Sequence, residues 1–120
     1  MNDTDPRPRL AAVTAALDAG RTTAVALAEQ ALECIGALDG RLNAFVTTCP
    51  DEALTQAREA DDRRAAGERG PLLGVPIAHK DLFCTRGVRT TCASRMLETF
   101  VPPYDATVVE RLRAAGAVCV

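Results

Sequence analysis

The chain has 120 residues, 48% of them hydrophobic and 25% charged, with a formal net charge of -2, the balance of one small folded domain rather than of a disordered chain. No window approaches the roughly 18 apolar residues of a membrane span, and the acidic start Met1-Asn2-Asp3-Thr4-Asp5-Pro6 lacks the apolar stretch of a signal peptide, so a cytosolic protein is expected. Acids and arginines are interspersed, and Phe45, Phe83, Phe100 and Tyr104 are not interleaved with a basic cluster; direct nucleic-acid binding is disfavoured and the aromatics read as core.

Leu10, Val13 and Leu17 recur at helical spacing before Gly20, which predicts a short first helix. Thr22 or Thr23 can cap a longer one, with Val25, Ala28, Ala31, Leu32, Ile35 and Leu38 as its apolar stripe and Asp39-Gly40 as its stop. Residues 42–46 are short, partly β-branched and aromatic, and are predicted as a strand. A third helix is expected from Pro50, capped by Asp51, with Ala53, Leu54, Ala57 and Ala60 facing inward and the charged run 59–64 facing solvent.

From Leu72 to Ile77 the chain is apolar without helical period, as in a buried strand that Gly74 and Pro76 bend or place at an edge. Residues 85–91 read as a turn into a second extended piece, and Pro102-Pro103-Tyr104-Asp105 as a rigid loop ending in a helix cap. Val108, Val109, Leu112 and Ala115 form the face of a last helix stopped by Gly116, and residues 117–120 open a further buried strand. Helices alternating with apolar strands predict an α/β fold with a mixed or parallel sheet covered by helices.

The five cysteines, Cys34, Cys49, Cys84, Cys92 and Cys119, form no C-x-x-C pair, and His79 is the only histidine. Zinc therefore has poor support, and the thiols read as small buried hydrophobes in a reducing compartment. Cys34 in particular lies beside the stripe of the second helix. Cys84 is the cysteine nearest in sequence to His79 and Lys80.

Lys80 is the only lysine, against thirteen arginines, and it ends the run Gly74-Val75-Pro76-Ile77-Ala78-His79-Lys80-Asp81. It is either a stray surface cation or a base, because a lysine desolvated by apolar neighbours can give up its proton and an arginine cannot. Asp81 can pair with a buried donor to fix the strand end, or steer Lys80. Thr90 suits a strand; Thr91 is equally consistent with a strand or with hydrogen bonding in a pocket.

That run, together with Arg89-Thr90-Thr91-Cys92-Ala93-Ser94, resembles the amidase signature family. Within the family, Pro102-Pro103-Tyr104-Asp105-Ala106-Thr107-Val108-Val109-Glu110-Arg111-Leu112 is most similar to the A subunits of glutamyl-tRNA(Gln)/aspartyl-tRNA(Asn) amidotransferases. The similarity is dense over residues 70–120 and weaker over the N-terminal helices, where 42–46 is also family-like.

The resemblance implies a helical part with one short strand over 1–69 and the start of an amidase core over 70–120, one incomplete domain cut before a serine-rich loop. It implies a Ser-cis-Ser-Lys triad with Lys80 as the lysine, whose neutral amine draws a proton through a bridging serine from the nucleophilic serine. The only serine here is Ser94, which the resemblance places, with Thr91, along the substrate pocket and not as nucleophile. His79 would point to the opposite face of an extended segment from Lys80.

By the same resemblance, glutamine is the substrate and subunits B and C are the partners. The complex uses ATP with Mg to amidate mischarged tRNA, and this segment itself binds no cofactor and no metal. The 120 residues alone are expected to be inactive, and a sheet cut in mid-strand is expected to be marginally stable. The alternatives are a piece of a general amidase for small amides, and a non-catalytic assembly module that binds the other amidotransferase subunits.

Overall fold

The computed structural model describes residues 9–120; the acidic start, where no signal peptide is expected, lies outside the described residues. Helix α1 spans Leu10–Asp18 and ends ahead of Gly20, whose φ of 66° reverses the chain. Helix α2, Ala24–Leu42, starts where the Thr23 hydroxyl accepts the Ala26 N–H at 3.1 Å. A second cap comes from far away: the Asp61 carboxylate accepts the N–H groups of Ala24 and Val25 at 2.7 and 3.1 Å.

Asp39-Gly40 does not stop α2. The helix continues to Leu42 and ends on Asn43, in the left-handed region at φ 49°. Asp39 instead bonds forward, its Oδ1 accepting from Ala44 and Phe45 N–H. The expected strand at 42–46 is therefore absent, because its backbone donors are taken by an aspartate rather than by a neighbouring strand.

Helix α3, Pro50–Ala65, has its N-cap at Cys49, with Pro50 in its first turn and Asp51 one residue inside rather than at the cap. The run 59–64 is not wholly a solvated face either. Arg64 is only 8% exposed, donates from Nε and Nη2 to the Leu73 carbonyl, and pairs with Asp18 at 2.8 Å. Asp61 faces α2, as above.

Ala24 and Ala28 of α2 meet Ala53, Ala57 and Ala60 of α3 in a core completed by Leu73, Val118 and Val120. Methyl side chains let the two helices approach closely, and both the 1–69 and 70–120 stretches contribute to this one core. The aromatics do not: Phe45 and Phe100 are half-buried and Phe83 and Tyr104 are exposed. Cys34 and Cys92 are likewise exposed and the other thiols half-buried, against the expectation of buried cysteines.

The apolar stretch from Leu72 begins as turns, and strand β1 is only Pro76–Ile77. It runs parallel to β2, Val118–Cys119, with Pro76 opposite Val118 and Ile77 opposite Cys119. Val118 and Val120 donate to the Val75 and Ile77 carbonyls, while Cys119 N–H, on the other edge, is taken by Gln56 Oε1 at 2.9 Å. A side chain from α3 thus satisfies the edge that a further strand would occupy.

The crossover between the strands holds a turn closed by a Thr85–Val88 bridge, a 3-10 turn at Arg95–Leu97, and helix α4, Thr107–Ala114. No extended strand forms over residues 89–94, directly after this turn. Asp105 does not cap α4, whose N-cap is Ala106. Its carboxylate accepts from Arg86 N–H at 2.6 Å and pairs with Arg113 at 2.5 Å, closing the loop onto the helix. Val109 is the buried residue of α4, whereas Val108 is exposed.

Candidate active site

The C-terminal end of β1 leads directly into the chemistry-bearing residues. Beyond Ile77 the backbone turns, and the Lys80 carbonyl accepts from both Leu82 and Phe83 N–H, at 2.7 and 3.1 Å. Lys80 sits at the rim of a cleft of about 550 Å³ whose lining includes residues 44–47, Thr90, Cys92, Ala93, Cys119 and Val120. The lysine is exposed and lies in a loop. The burial within an apolar strand expected for it is not supplied by the described residues.

Asp81 binds residues 91 and 92 through three contacts. Its Oδ1 accepts Thr91 N–H at 2.8 Å, its Oδ2 accepts the Thr91 hydroxyl, and its backbone carbonyl accepts Cys92 N–H at 2.9 Å. Burial pushes its carboxyl upward, but the Thr91 hydroxyl and N–H, with Ala93 N–H and nearby Arg89, outweigh it and hold the group below the usual carboxylate range. Thr91 and Ser94, expected along the substrate pocket, are not among the residues that line this cleft. Thr91 serves Asp81, and Ser94 N–H bonds the Thr91 carbonyl at 2.9 Å.

His79 lines the same cleft as Lys80. Its Nδ1 lies 3.4 Å from Thr85 Oγ1 and 3.7 Å from Cys119 Sγ. Burial, then the Arg113 charge, hold the imidazole below its ordinary value, and Asp105 opposes them only in part. Burial also pushes the Cys119 thiol up, to about 11, with Cys49 adding to the effect. A protonated thiol beside a neutral imidazole is not an activated nucleophile. Cys84 bonds Tyr104 at 3.5 Å and does not line the cleft. Among the described residues no group of three His, Cys, Asp or Glu is arranged to hold a metal ion, and no helix is long and apolar enough to cross a membrane.

Arg89 belongs to the family-like run 89–94, but nothing in the sequence assigned it a role. Its Nη2 donates to the Val46 carbonyl at 2.8 Å, Nε to Thr47 Oγ1 at 3.3 Å, and Nη1 to the Glu98 carbonyl at 3.4 Å, joining segments 46–47 and 98. Its main partners are more than forty residues away in sequence, out of reach of any local pattern.

The amidase family profile matches residues 26–120. The chain belongs to the amidase signature family. It is 60% identical over 107 residues to the A subunit of glutamyl-tRNA(Gln) amidotransferase from Thioalkalivibrio sulfidiphilus, covering 89% of this chain and 22% of that protein. The corresponding protein of Azotobacter vinelandii is 59% identical over 112 residues, 93% of this chain and 23% of its own length.

Among solved structures, the native peptide amidase from Stenotrophomonas maltophilia superposes with a TM-score of 0.86 at 38% identity, over 98% of this chain and 24% of that one. The chain thus spans about a quarter or less of the proteins it matches, and it carries the α/β architecture of this family as a helix-rich piece with a small parallel sheet.

Proposed function

We propose that this chain is part of the glutamine-hydrolysing A subunit of a tRNA-dependent amidotransferase, and that Lys80 is the proton acceptor of its Ser-cis-Ser-Lys triad. The observation that carries the reading is Lys80 itself, the single lysine of an arginine-rich chain, held at the rim of the cleft in a family member about 60% identical to curated A subunits.

In the proposed reaction, Lys80 receives the hydroxyl proton of the attacking serine by way of a bridging serine. The serine oxygen then bonds the glutamine side-chain carbonyl, the C–N bond breaks as the proton is passed to the leaving nitrogen, and ammonia departs. Water next cleaves the acyl-enzyme to glutamate. Lysine suits this shuttling because a primary amine can exist neutral, which a guanidinium does not. With Ser94 as its only serine, the chain depends on serines from outside these residues. ATP with Mg, subunits B and C, and mischarged glutamyl- or aspartyl-tRNA complete the reaction in the cytoplasm.

A general small-amide amidase is supported less, since the peptide amidase likeness is 38% identity against 60% for the amidotransferase subunits. The test is ammonia release from glutamine by the purified 120-residue chain, alone and with amidotransferase subunits B and C and a serine-bearing remainder of the glutaminase chain. Release only in the reconstituted mixture, abolished by Lys80→Ala and by Lys80→Arg, is expected. Release by the chain alone, or release from the mixture that survives both substitutions, overturns the proposal.

A further inference from the structure

The cleft lining that includes Lys80 also contains two consecutive non-glycine residues in left-handed backbone, Cys92 at φ 52° and Ala93 at φ 56°. Each such residue carries a cost on the order of 1 kcal/mol and persists only where the surroundings enforce it. Here the enforcement comes from one side chain and its partner. Asp81 takes both the N–H and the hydroxyl of Thr91, the Thr91 hydroxyl in turn accepts Ala93 N–H at 3.1 Å, and the Asp81 carbonyl takes Cys92 N–H. Every backbone donor of the left-handed corner is thus consumed by Asp81 or by the threonine that Asp81 holds.

The other end of the connection is Lys80. Its carbonyl is bonded twice by the turn that follows, and the next residue is bonded three times to residues 91 and 92. The Lys80 main chain therefore has little freedom although its side chain is exposed. A pinned backbone fixes the point from which the flexible lysine stem reaches towards the cleft, and so bounds where its amine can meet a defined oxygen.

We infer that Asp81 is a positioning residue, holding Lys80 in register with the cleft by fastening the Lys80 turn to the left-handed corner at Cys92 and Ala93. The inference rests on the proposed function for what Lys80 does, but its test does not depend on amide hydrolysis.

Because Lys80 is the only lysine, acylation by a water-soluble acetyl ester reports on it alone, with the N-terminal α-amine as internal reference, read by peptide mass spectrometry. Asp81→Ala and Thr91→Val should each change the Lys80 rate, relative to the α-amine, by about threefold or more towards faster labelling as the turn is released. Thr91→Ser, which keeps the hydroxyl, should stay within about twofold of the parent. Amide exchange at Cys92 and Ala93 should rise in the first two variants while α2 and α3 stay protected.

Thr91→Val retains the Asp81 charge, so an altered rate there reflects position rather than electrostatics. If Asp81→Ala unfolds the helices, the Thr91→Val and Thr91→Ser pair decides. Faster exchange at Cys92 and Ala93 with an unchanged Lys80 rate would make Asp81 a structural clamp only and overturn the inference. Loss of Lys80 dependence in ammonia release would instead overturn the proposed function and leave the labelling result intact.

Discussion

Gly74 donates its backbone N–H to the Gly116 carbonyl at 2.8 Å, and both residues run at positive φ, 82° and 81°. This pair joins the turn before β1 to the turn before β2, setting the register of the parallel sheet and with it the start of the lysine loop. A Cβ on Gly74 would stand 2.8 Å from Ala24 Cβ, and one on Gly116 2.4 Å from Leu73 Cδ1. Gly74→Ala and Gly116→Ala should each destabilise the chain by about 2 kcal/mol or more, through strain and overpacking together. Gly36, inside α2 with nothing within 4 Å of its would-be Cβ, is the contrast: Gly36→Ala should stabilise by roughly 0.5–1 kcal/mol. Urea midpoints of the three variants check both signs.

Arg64 satisfies the Leu73 carbonyl twice from a nearly buried position and pairs with Asp18, so α1, α3 and the turn before β1 share one guanidinium. Arg64→Ala should cost about 2–3 kcal/mol, because the carbonyl loses its donors and the stem leaves a void. Arg64→Lys should recover little of this, since an ammonium cannot reproduce the forked geometry. Thermal unfolding of the two variants side by side distinguishes lost charge from lost fork.

Stability should decline at both ends of the pH scale. His79 is held below its ordinary 6.5, so the unfolded chain takes a proton first as pH falls, and stability is lost from about 6.5 downward. Asp81, held below its ordinary 3.8, adds a further loss as pH falls through its folded value. Cys119 is raised from 9.0 to about 11, so its contribution is complete below 9 and is lost as pH rises through that interval. Melting temperatures across pH should show both limbs, with His79→Gln flattening the first and Cys119→Ala the alkaline one. A profile unchanged by either substitution would contradict these assignments.

Lys80 is exposed and contributes nothing to the core. Lys80→Ala and Lys80→Arg should therefore leave folding stability within about 0.5 kcal/mol of the parent, so that any loss of ammonia release in a reconstituted enzyme reports chemistry rather than unfolding. Denaturation of both variants under the activity conditions is the check.

The helices were legible because their signals are local: the spacing of Leu10, Val13 and Leu17, the Thr23 cap, and the alanines of α3 all act within a few residues. The family and the lysine motif were legible in the same way, as a contiguous run from Gly74 to Asp81. What failed depended on side-chain partners that no periodicity reveals, some local and some distant in sequence. Residues 42–46 have strand-like composition, yet Asp39 takes two of their N–H groups; Asp61 and Arg64 read as solvent-facing charges until α2 and the Leu73 carbonyl are brought against them.

The sequence by itself determined the helical periodicity, the membership of the amidase signature family, and the presence of a single lysine in its family-like run. Only the tertiary structure decided that Lys80 stands exposed at a cleft rim, that Arg89 bonds segments 46–47 and 98, and that Asp81 and Thr91 take the donors of the left-handed corner at Cys92 and Ala93. The physical reason is range: helix propensity and motif spacing are properties of neighbouring residues, whereas the hydrogen bonds that shape the cleft join segments ten to more than forty residues apart.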